Sequence, residues 1–450
     1  MTILERLEAI PVHSFHYRLL VVIGLGWMFD AADTGLVSFV LPALAKEWGL
    51  TAQEIGYIGS VGLIGMALGA VIAGSIAERL GRRRTFAATL LLYGIATGLC
   101  GFAWNFTSLL IFRFFVGFGL GGQLPVAVTL MSEYSPAKER GRFIVLLESF
   151  WGAGWLVAAL IAYILIPKFG WQAAFFVGAL PALYIFCIWR SVPESVRFLL
   201  QQGNYEAAHA IVSKLERQAG ITPPILSQAE LISQNPVARD FSGGGLRFAA
   251  LWDSRLRRRT LLLWLLWFGI VYSYYGIFTW LPSLLAAQGL AIVKTFEYVL
   301  LMTLAQLPGY FAAALLVDRW GRKNTLAAFL LMSGIAAYGF GHSTEVFWVV
   351  AWGCTMSFFN LGAWGVVYTY TPELYPTSVR ALGVGWAAGI GRIGGMVAPA
   401  IVGSMLPLFG IGSIFTMFMA VLAVTGLIVL ALGKETKQEQ LSEQLADTKA

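Results

Sequence analysis

Residues 78–85 read ERLGRRRT, and residues 318–325 read DRWGRKNT. Residues 133–140 read EYSPAKER, and residues 373–380 read ELYPTSVR. Both pairs are 240 residues apart. Two separate matches at one spacing mark an internal duplication. The chain is therefore read as two copies of one unit.

What lies between these polar segments is apolar. Of the 450 residues, 58% are hydrophobic and only 12% charged, with a mean hydropathy of +0.72. Soluble domains carry roughly one-quarter charged residues. Twelve spans are predicted, over 18–45, 54–79, 84–103, 107–134, 142–166, 171–191, 259–288, 295–318, 325–342, 346–371, 381–405 and 409–432. Each is near or above the ~20 residues that cross a bilayer as a helix. The polar interval 192–258 divides them six and six. The predicted organisation is a bundle over 1–191, a loop with amphipathic helices over 192–258, a second bundle over 259–433 and a tail over 434–450. The class is an all-α polytopic membrane protein with two pseudo-symmetric six-helix halves. Parallel repeats of this kind hold substrate near the midplane, between the halves.

Basic residues set the orientation. The odd-numbered connections carry only Lys46, Lys168 and Lys294, and Arg113 and Arg392 fall inside spans. The other 26 of the 31 Lys and Arg lie in the even-numbered connections and the tails. The positive-inside rule then predicts both termini in the cytoplasm. The net charge of +7 faces lipid head groups, not nucleic acid. No cleavable signal peptide is expected, because MTILERLEAIPVHSFHYR is a short polar arm leading into a full span. Cys100, Cys187 and Cys354 lie far apart in apolar runs, without metal-ligand spacing. No cofactor or metal is expected. No nucleophile–base constellation is visible, so an enzyme is not expected.

The motifs resemble the major facilitator superfamily. GSIAERLGRRR (74–84) is similar to its loop motif, with Glu78 where Asp is usual, and AALLVDRWGRK (313–323) is a second copy. FRFFVGFGLGG (112–122), SEYSPAKERGR (132–142) and PESVRFLL (193–200) resemble the sugar-porter and organic-ion-transporter branch. LRRRTLLLWLLWFGIVYSYYG (256–276) and TPELYPTSVRALGVG (371–385) are similar to organic cation and anion transporters and to synaptic vesicle glycoproteins. FDAADTGLVSFVLPALAKEWGL (29–50) resembles aromatic-acid/proton symporters and, more closely, bacterial niacin transporters.

Five ionisable residues sit within spans: Asp30, Asp33, Arg113, Glu148 and Arg392. Charge at membrane depth is costly and marks function when a partner can be named. The resemblance implies a proton role for Asp33, paired with Arg113 on the fourth span. Asp30 and Glu148 are further carboxylates for coupling. A static pair that only holds two helices is the competing reading of Asp33 and Arg113. Arg392 is a permanent cation with a fork matched to a carboxylate. By resemblance, a basic residue at this place implies an anionic substrate.

The pocket is expected to be aromatic. Tyr272 and Tyr275 are read as one face of the seventh span, with Tyr274 pointing elsewhere. Trp151 and Trp155 stand at i, i+4 on the fifth, and Asn360, Trp364 and Tyr368 share a face of the tenth. Gln123 and Gln306 are polar groups at midplane depth. Rings would stack a small planar ligand, an amide would meet a ring nitrogen and Arg392 would hold a carboxylate. Packing alone is the competing reading for each aromatic stripe.

Gating is expected at the loops. By resemblance, Glu78, Arg79, Gly81 and Arg82 with Glu133 and Arg140 form an ion network in one half. Asp318, Arg319, Gly321 and Arg322 with Glu373 and Arg380 form it in the other. The expected function is import of niacin-like aromatic monocarboxylates by alternating access, coupled to protons, by a monomer in the bacterial inner membrane. A benzoate-like symporter or an uncoupled facilitator is the alternative within transport. A non-transporting binding protein is the alternative outside it.

Overall fold

The computed structural model describes residues 1–136, 139–224, 226, 230–231, 248–287, 291–376 and 379–437. Among these residues the regular structure is helical: α1 (Ile3–Ala9), α2 (Ser14–Trp48), α3 (Ala52–Leu80), α4 (Arg82–Gly101), α5 (Phe106–Tyr134), α6 (Arg140–Gly178), α7 (Ile185–Ser191), α8 (Val196–Gln201), α9 (Tyr205–Gln218), α10 (Arg257–Ala287), α11 (Ile292–Leu304), α12 (Gln306–Trp320), α13 (Arg322–His342), α14 (Val346–Glu373) and α15 (Arg380–Leu432). In hydrocarbon each backbone N–H and C=O must be paired internally, which a helix achieves within its own segment.

Nine helical segments among the described residues are long and apolar enough to cross a membrane. Two of them, Leu146–Ser191 and Leu382–Leu432, run 46 and 51 residues, about twice one crossing. Each leaves helical geometry at one glycine, Gly170 (φ 80°, ψ 172°) and Gly410 (φ 72°, ψ 175°). Glycine takes a positive φ without the steric cost a Cβ would bring, so the chain bends there. With both arms of each bent segment and α4 counted, twelve crossing helices result, as the hydropathy predicts. Large apolar side chains such as Phe311 (72% exposed) and Leu408 (76%) are left for lipid to cover.

The 240-residue repeat extends to the backbone. α4 and α13, α5 and α14, and α6 and α15 begin 240 residues apart, and so do the two bends and the positive-φ pair Gly81 and Gly321.

Two departures from the predicted spans trace to proline. The eighth span loses a helical hydrogen bond next to Ala305, between α11 and α12, while the backbone there stays helical (φ −65°, ψ −16°). Pro308 has no N–H for the Leu304 carbonyl, and its ring crowds that carbonyl. The sixth span tightens into a 3₁₀ turn over Leu180–Tyr184, where Pro181 removes another helical donor.

The chain forms two compact units. The first is Met1–Leu36, Ile64–Ile161 and Phe169–Asp240; the second is Val37–Leu63, Ala162–Lys168 and Phe241–Ala450. Within the second, the Ala400 N–H donates to Ser60 Oγ at 3.1 Å, and Phe39 meets Phe296 edge-on at 5.6 Å.

The N-terminal arm is folded. α1 opens with a Thr2–Glu5 capping box and buries Ile3, Leu7 and Ile10. It packs on α9, whose apolar face (Ala208, Val212, Leu215) is covered by protein instead of lying on a membrane. Arg6 closes the contact. It donates to both Glu216 oxygens at 2.9 and 2.6 Å, and both side chains are nearly inaccessible. Arg6 Nη1 also donates to His209 Nδ1 at 2.9 Å, which leaves the imidazole proton on Nε2, facing Ser213 Oγ at 3.3 Å. Burial, and then the Arg6 charge, hold the His209 pKa below its usual value. A lowered histidine pKa means the neutral ring favours the folded state. Its contribution is complete above about pH 6.5 and is lost as pH falls below that. Arg6→Ala strands Glu216 and is expected to cost about 3–5 kcal/mol, whereas Arg6→Met with Glu216→Leu should cost far less. Thermal unfolding of the detergent-solubilised protein between pH 7.5 and 5.5 checks both the ranking and the pH slope.

Candidate functional site

In the first unit the charged core gathers around α2. Asp30 and Asp33 are 0% and 2% exposed. Asp33 is fully engaged: Arg113 Nη1 donates to one oxygen at 3.0 Å and the Thr97 hydroxyl to the other at 2.7 Å. Arg113 is on α5, which comes close to α4 because Gly119 lies directly on the Thr89–Tyr93 backbone. Asp30 is different. Among the described residues neither of its oxygens has a hydrogen-bond partner, although the Tyr93 hydroxyl stands close enough to interact. Thr97 and Tyr93 were not singled out from sequence; their signal was their i, i+4 spacing on the third span.

Glu148 is half-buried and approaches the indole of Trp27, whose ring meets Trp151 at 4.8 Å. Trp155 is buried beside Gly35. Gln123 is completely buried against Gly26, with both amide atoms unpartnered among the described residues. A buried polar atom left unpaired costs about 1–3 kcal/mol.

The second unit holds the candidate substrate residues. Arg392 on α15 is half-buried and forms no hydrogen bond or ion pair among the described residues. It follows Gly391 and precedes Gly394 and Gly395, which pack on Val271, Tyr272 and Tyr275 of α10. The aromatic face corrects the sequence reading of that helix. Tyr272 turns away from the cluster, stacks on Phe268, packs on Phe418 and donates to Met417 sulfur at 3.4 Å. Tyr274 takes its place, edge-on to Tyr275 (5.2 Å) and to Trp364 (5.6 Å). The reason is crowding: Gly394 brings α15 onto Phe268 and Tyr272, so the Tyr272 ring is committed to packing. Trp364 also meets Trp267 at 5.8 Å and Tyr368 at 5.7 Å, and its indole N–H is unpartnered among the described residues. Gln306 and Asn360 are 1% and 0% exposed.

The loop residues fall into two matching clamps. In the first unit Arg82 lies 3.9 Å from Glu133. Glu194 caps the start of α4, accepting from the N–H groups of Arg82 (2.7 Å) and Arg83 (3.1 Å), and the Ser195 hydroxyl donates to Glu133. In the second, Arg322 lies 3.2 Å from Glu373. Glu435 caps α13 through Arg322 (2.8 Å) and Lys323 (3.1 Å), and the Thr436 hydroxyl donates to Glu373 at 2.5 Å. A carboxylate at a helix start pairs orphan donors and opposes the macrodipole. Arg380 donates to the carbonyls of Pro372 and Tyr375, and Arg79 and Arg319 are exposed. The side chains of Glu78, Asp318 and Arg140 lie outside the described residues. Glu194, Ser195, Glu435 and Thr436 were missed because this repeat is spaced by 241, one residue off the rest. Glu194→Ala and Glu435→Ala are each expected to cost about 1–2 kcal/mol, adding in the double variant. Thermal-shift measurements on the three variants check this.

A family model described as sugar (and other) transporter matches residues 30–447. The chain is 55% identical over 442 residues to the niacin transporter NiaP of Acinetobacter baylyi, covering 98% of this chain and 99% of that one. It is 43% identical to the putative niacin/nicotinamide transporter NiaP of Bacillus subtilis, over 94% and 97% of the two chains. The solved structure of the E. coli xylose transporter XylE, in a partially occluded inward open conformation, has a TM-score of 0.74 to this chain at 17% identity. It covers 95% of this chain and all of that one, and the likeness is one of fold. Twelve crossing helices, a duplicated loop motif and a match over nearly the whole length agree: the chain belongs to the sugar (and other) transporter family of the major facilitator superfamily, as a secondary transporter and not an enzyme.

Proposed function

We propose that this transporter imports nicotinate and related aromatic monocarboxylates together with protons. The observation that carries the reading is Arg392, a half-buried guanidinium without a counter-ion among the described residues, in the same unit as the rings of Tyr274, Tyr275, Trp364 and Tyr368. A half-buried fork without a counter-ion is matched to a planar carboxylate, and the rings offer faces to a planar ligand. The niacin-transporter names of the relatives at 55% and 43% identity support the same substrate.

Coupling falls to the first unit. Asp33 has a cation and a hydroxyl to hold its negative charge; Asp30 has no cation among the described residues, only the Tyr93 hydroxyl nearby. In this reading the transported proton resides on Asp30, and Asp33 with Arg113 is the fixed pair beside it. One proton per monoanion makes the step electroneutral, and a second would add about 2.3 kcal/mol per 100 mV. The distribution of basic residues supports both termini in the cytoplasm, and a monomer in the bacterial inner membrane is the form proposed.

Uptake of labelled nicotinate into proteoliposomes under an imposed pH gradient tests this. Wild-type uptake should rise with an inward proton gradient, and Asp30→Asn should abolish that dependence while exchange of nicotinate across the membrane persists. Saturable binding without uptake would favour the binding-protein reading. A gradient response unchanged in Asp30→Asn would remove Asp30 from coupling.

A further inference from the structure

Buried polar atoms without partners gather at one level of the second unit. Gln306 is 1% exposed, and both its amide atoms are unpartnered among the described residues. Ser357 and Asn360 on α14 are 0% exposed, and the Ser357 hydroxyl and the Asn360 carbonyl oxygen are likewise unpartnered. The Asn360 amide reaches Ser333 only at 3.4 Å. Packing sets the level of Gln306. Met302 lies against Gly353, Gly309 against Phe358 and Gly362, and Tyr310 against Gly365. Gln306 therefore stands beside the Ser357–Leu361 stretch of α14.

Two further facts bear on this cluster. Gln306 follows Ala305 in a span where Pro308 removes one helical hydrogen bond, from the Leu304 carbonyl. Backbone groups released in this way at membrane depth are met by neighbouring helices, polar side chains or water. One turn along α14 from Asn360 stands Trp364, the centre of the aromatic cluster. The cluster also contains no charged side chain. It presents amide N–H, amide oxygen and hydroxyl groups, which suit a neutral heteroatom and leave Arg392 as the one cation for the carboxylate among the residues named. Native proteins seldom leave such groups unpaired, and an occupant of matching chemistry accounts for them.

We infer that Gln306, assisted by Asn360 and Ser357, is the specificity-determining residue that donates a hydrogen bond to the ring nitrogen of a pyridine carboxylate. This rests on the aromatic-carboxylate reading of Arg392 and goes further: the site selects a heteroaromatic acid over its carbocyclic isostere. A nitrogen lone pair accepts from the Gln306 N–H, whereas the C–H of benzoate leaves that donor unpaired. Sites built to hydrogen-bond a substrate reject analogues that lack the group.

The test is inhibition of labelled nicotinate uptake by unlabelled nicotinate and by benzoate, with the full-length protein in proteoliposomes. Wild type should prefer nicotinate at least tenfold. Gln306→Leu should bring the ratio near one, mostly by weakening nicotinate. Arg392→Ala should weaken both acids together. Gln306→Met, close in shape to glutamine, serves as the second variant, and size-exclusion elution of each variant reports folding. A wild-type ratio near one would overturn the inference without any variant. So would a ratio kept in Gln306→Leu or Gln306→Met with only thermal stability changed, which would make the cluster a water-filled packing feature. Absence of any nicotinate uptake by wild type would overturn the carboxylate reading itself, and this inference with it.

Discussion

Replacing Arg392 by alanine is expected to raise the KM for nicotinate uptake by about 30-fold or more, the equivalent of ~2 kcal/mol and upward for truncating one partner of a desolvated charge pair. The side chain is half-buried and has no competing acid among the described residues, so the substrate carboxylate has no rival for the fork. Arg392→Lys keeps the charge and loses the planar fork; an intermediate effect of roughly tenfold is expected. Inhibition by nicotinamide, which has no carboxylate, should change little in either variant. Dose-response curves for the two ligands against the three proteins check this. Equal losses for both would mean that Arg392 supports the fold and not the anion.

Asp33→Ala should destabilise the protein by about 3–5 kcal/mol, because it leaves the Arg113 guanidinium buried without its counter-ion. Arg113→Ala should do the same to Asp33. Removing both should restore much of the loss, since the pair's desolvation cost disappears with its attraction. Thr97→Val removes one hydroxyl from the pair and is expected to cost about 1.5–3 kcal/mol, as for a hydrogen bond to a charged group. Thermal unfolding in detergent measures all four, and the double-mutant cycle isolates the pair energy. Uptake separates a second question. A stable double variant that still responds to the pH gradient would mean that the pair is scaffold and Asp30 alone carries the proton.

The frame was legible in the sequence because its signals are long and repetitive. Twenty-residue apolar runs and a 240-residue repeat survive any local irregularity, so span number and the paired loops could be read directly. What escaped depended on single side chains. Periodicity put Tyr272 with Tyr275, but packing against Phe268 and Phe418 drew Tyr272 off and left Tyr274 facing Trp364. Hydropathy could not show where α1 packs, because its partners, Glu216 among them, lie about 200 residues away. The capping acids Glu194 and Glu435 were hidden by a one-residue slip in the repeat. Asp30 and Asp33 look alike in sequence and differ only in what surrounds them, a distinction that requires three helices in register.

The bends at Gly170 and Gly410 carry a historical meaning. A turn made twice with the same dihedrals was made once, in a shorter ancestral gene, before that gene doubled. The mates of the reactive residues, read at the same spacing, tell the opposite story. Arg113 stands opposite Gly353, Asp33 opposite Ser273, Asp30 opposite Ile270, Arg392 opposite Gly152 and Gln306 opposite Met66. The two halves thus share their bends and differ at their charged and polar positions. In the cycle proposed above, one copy carries the proton and the other meets the anion.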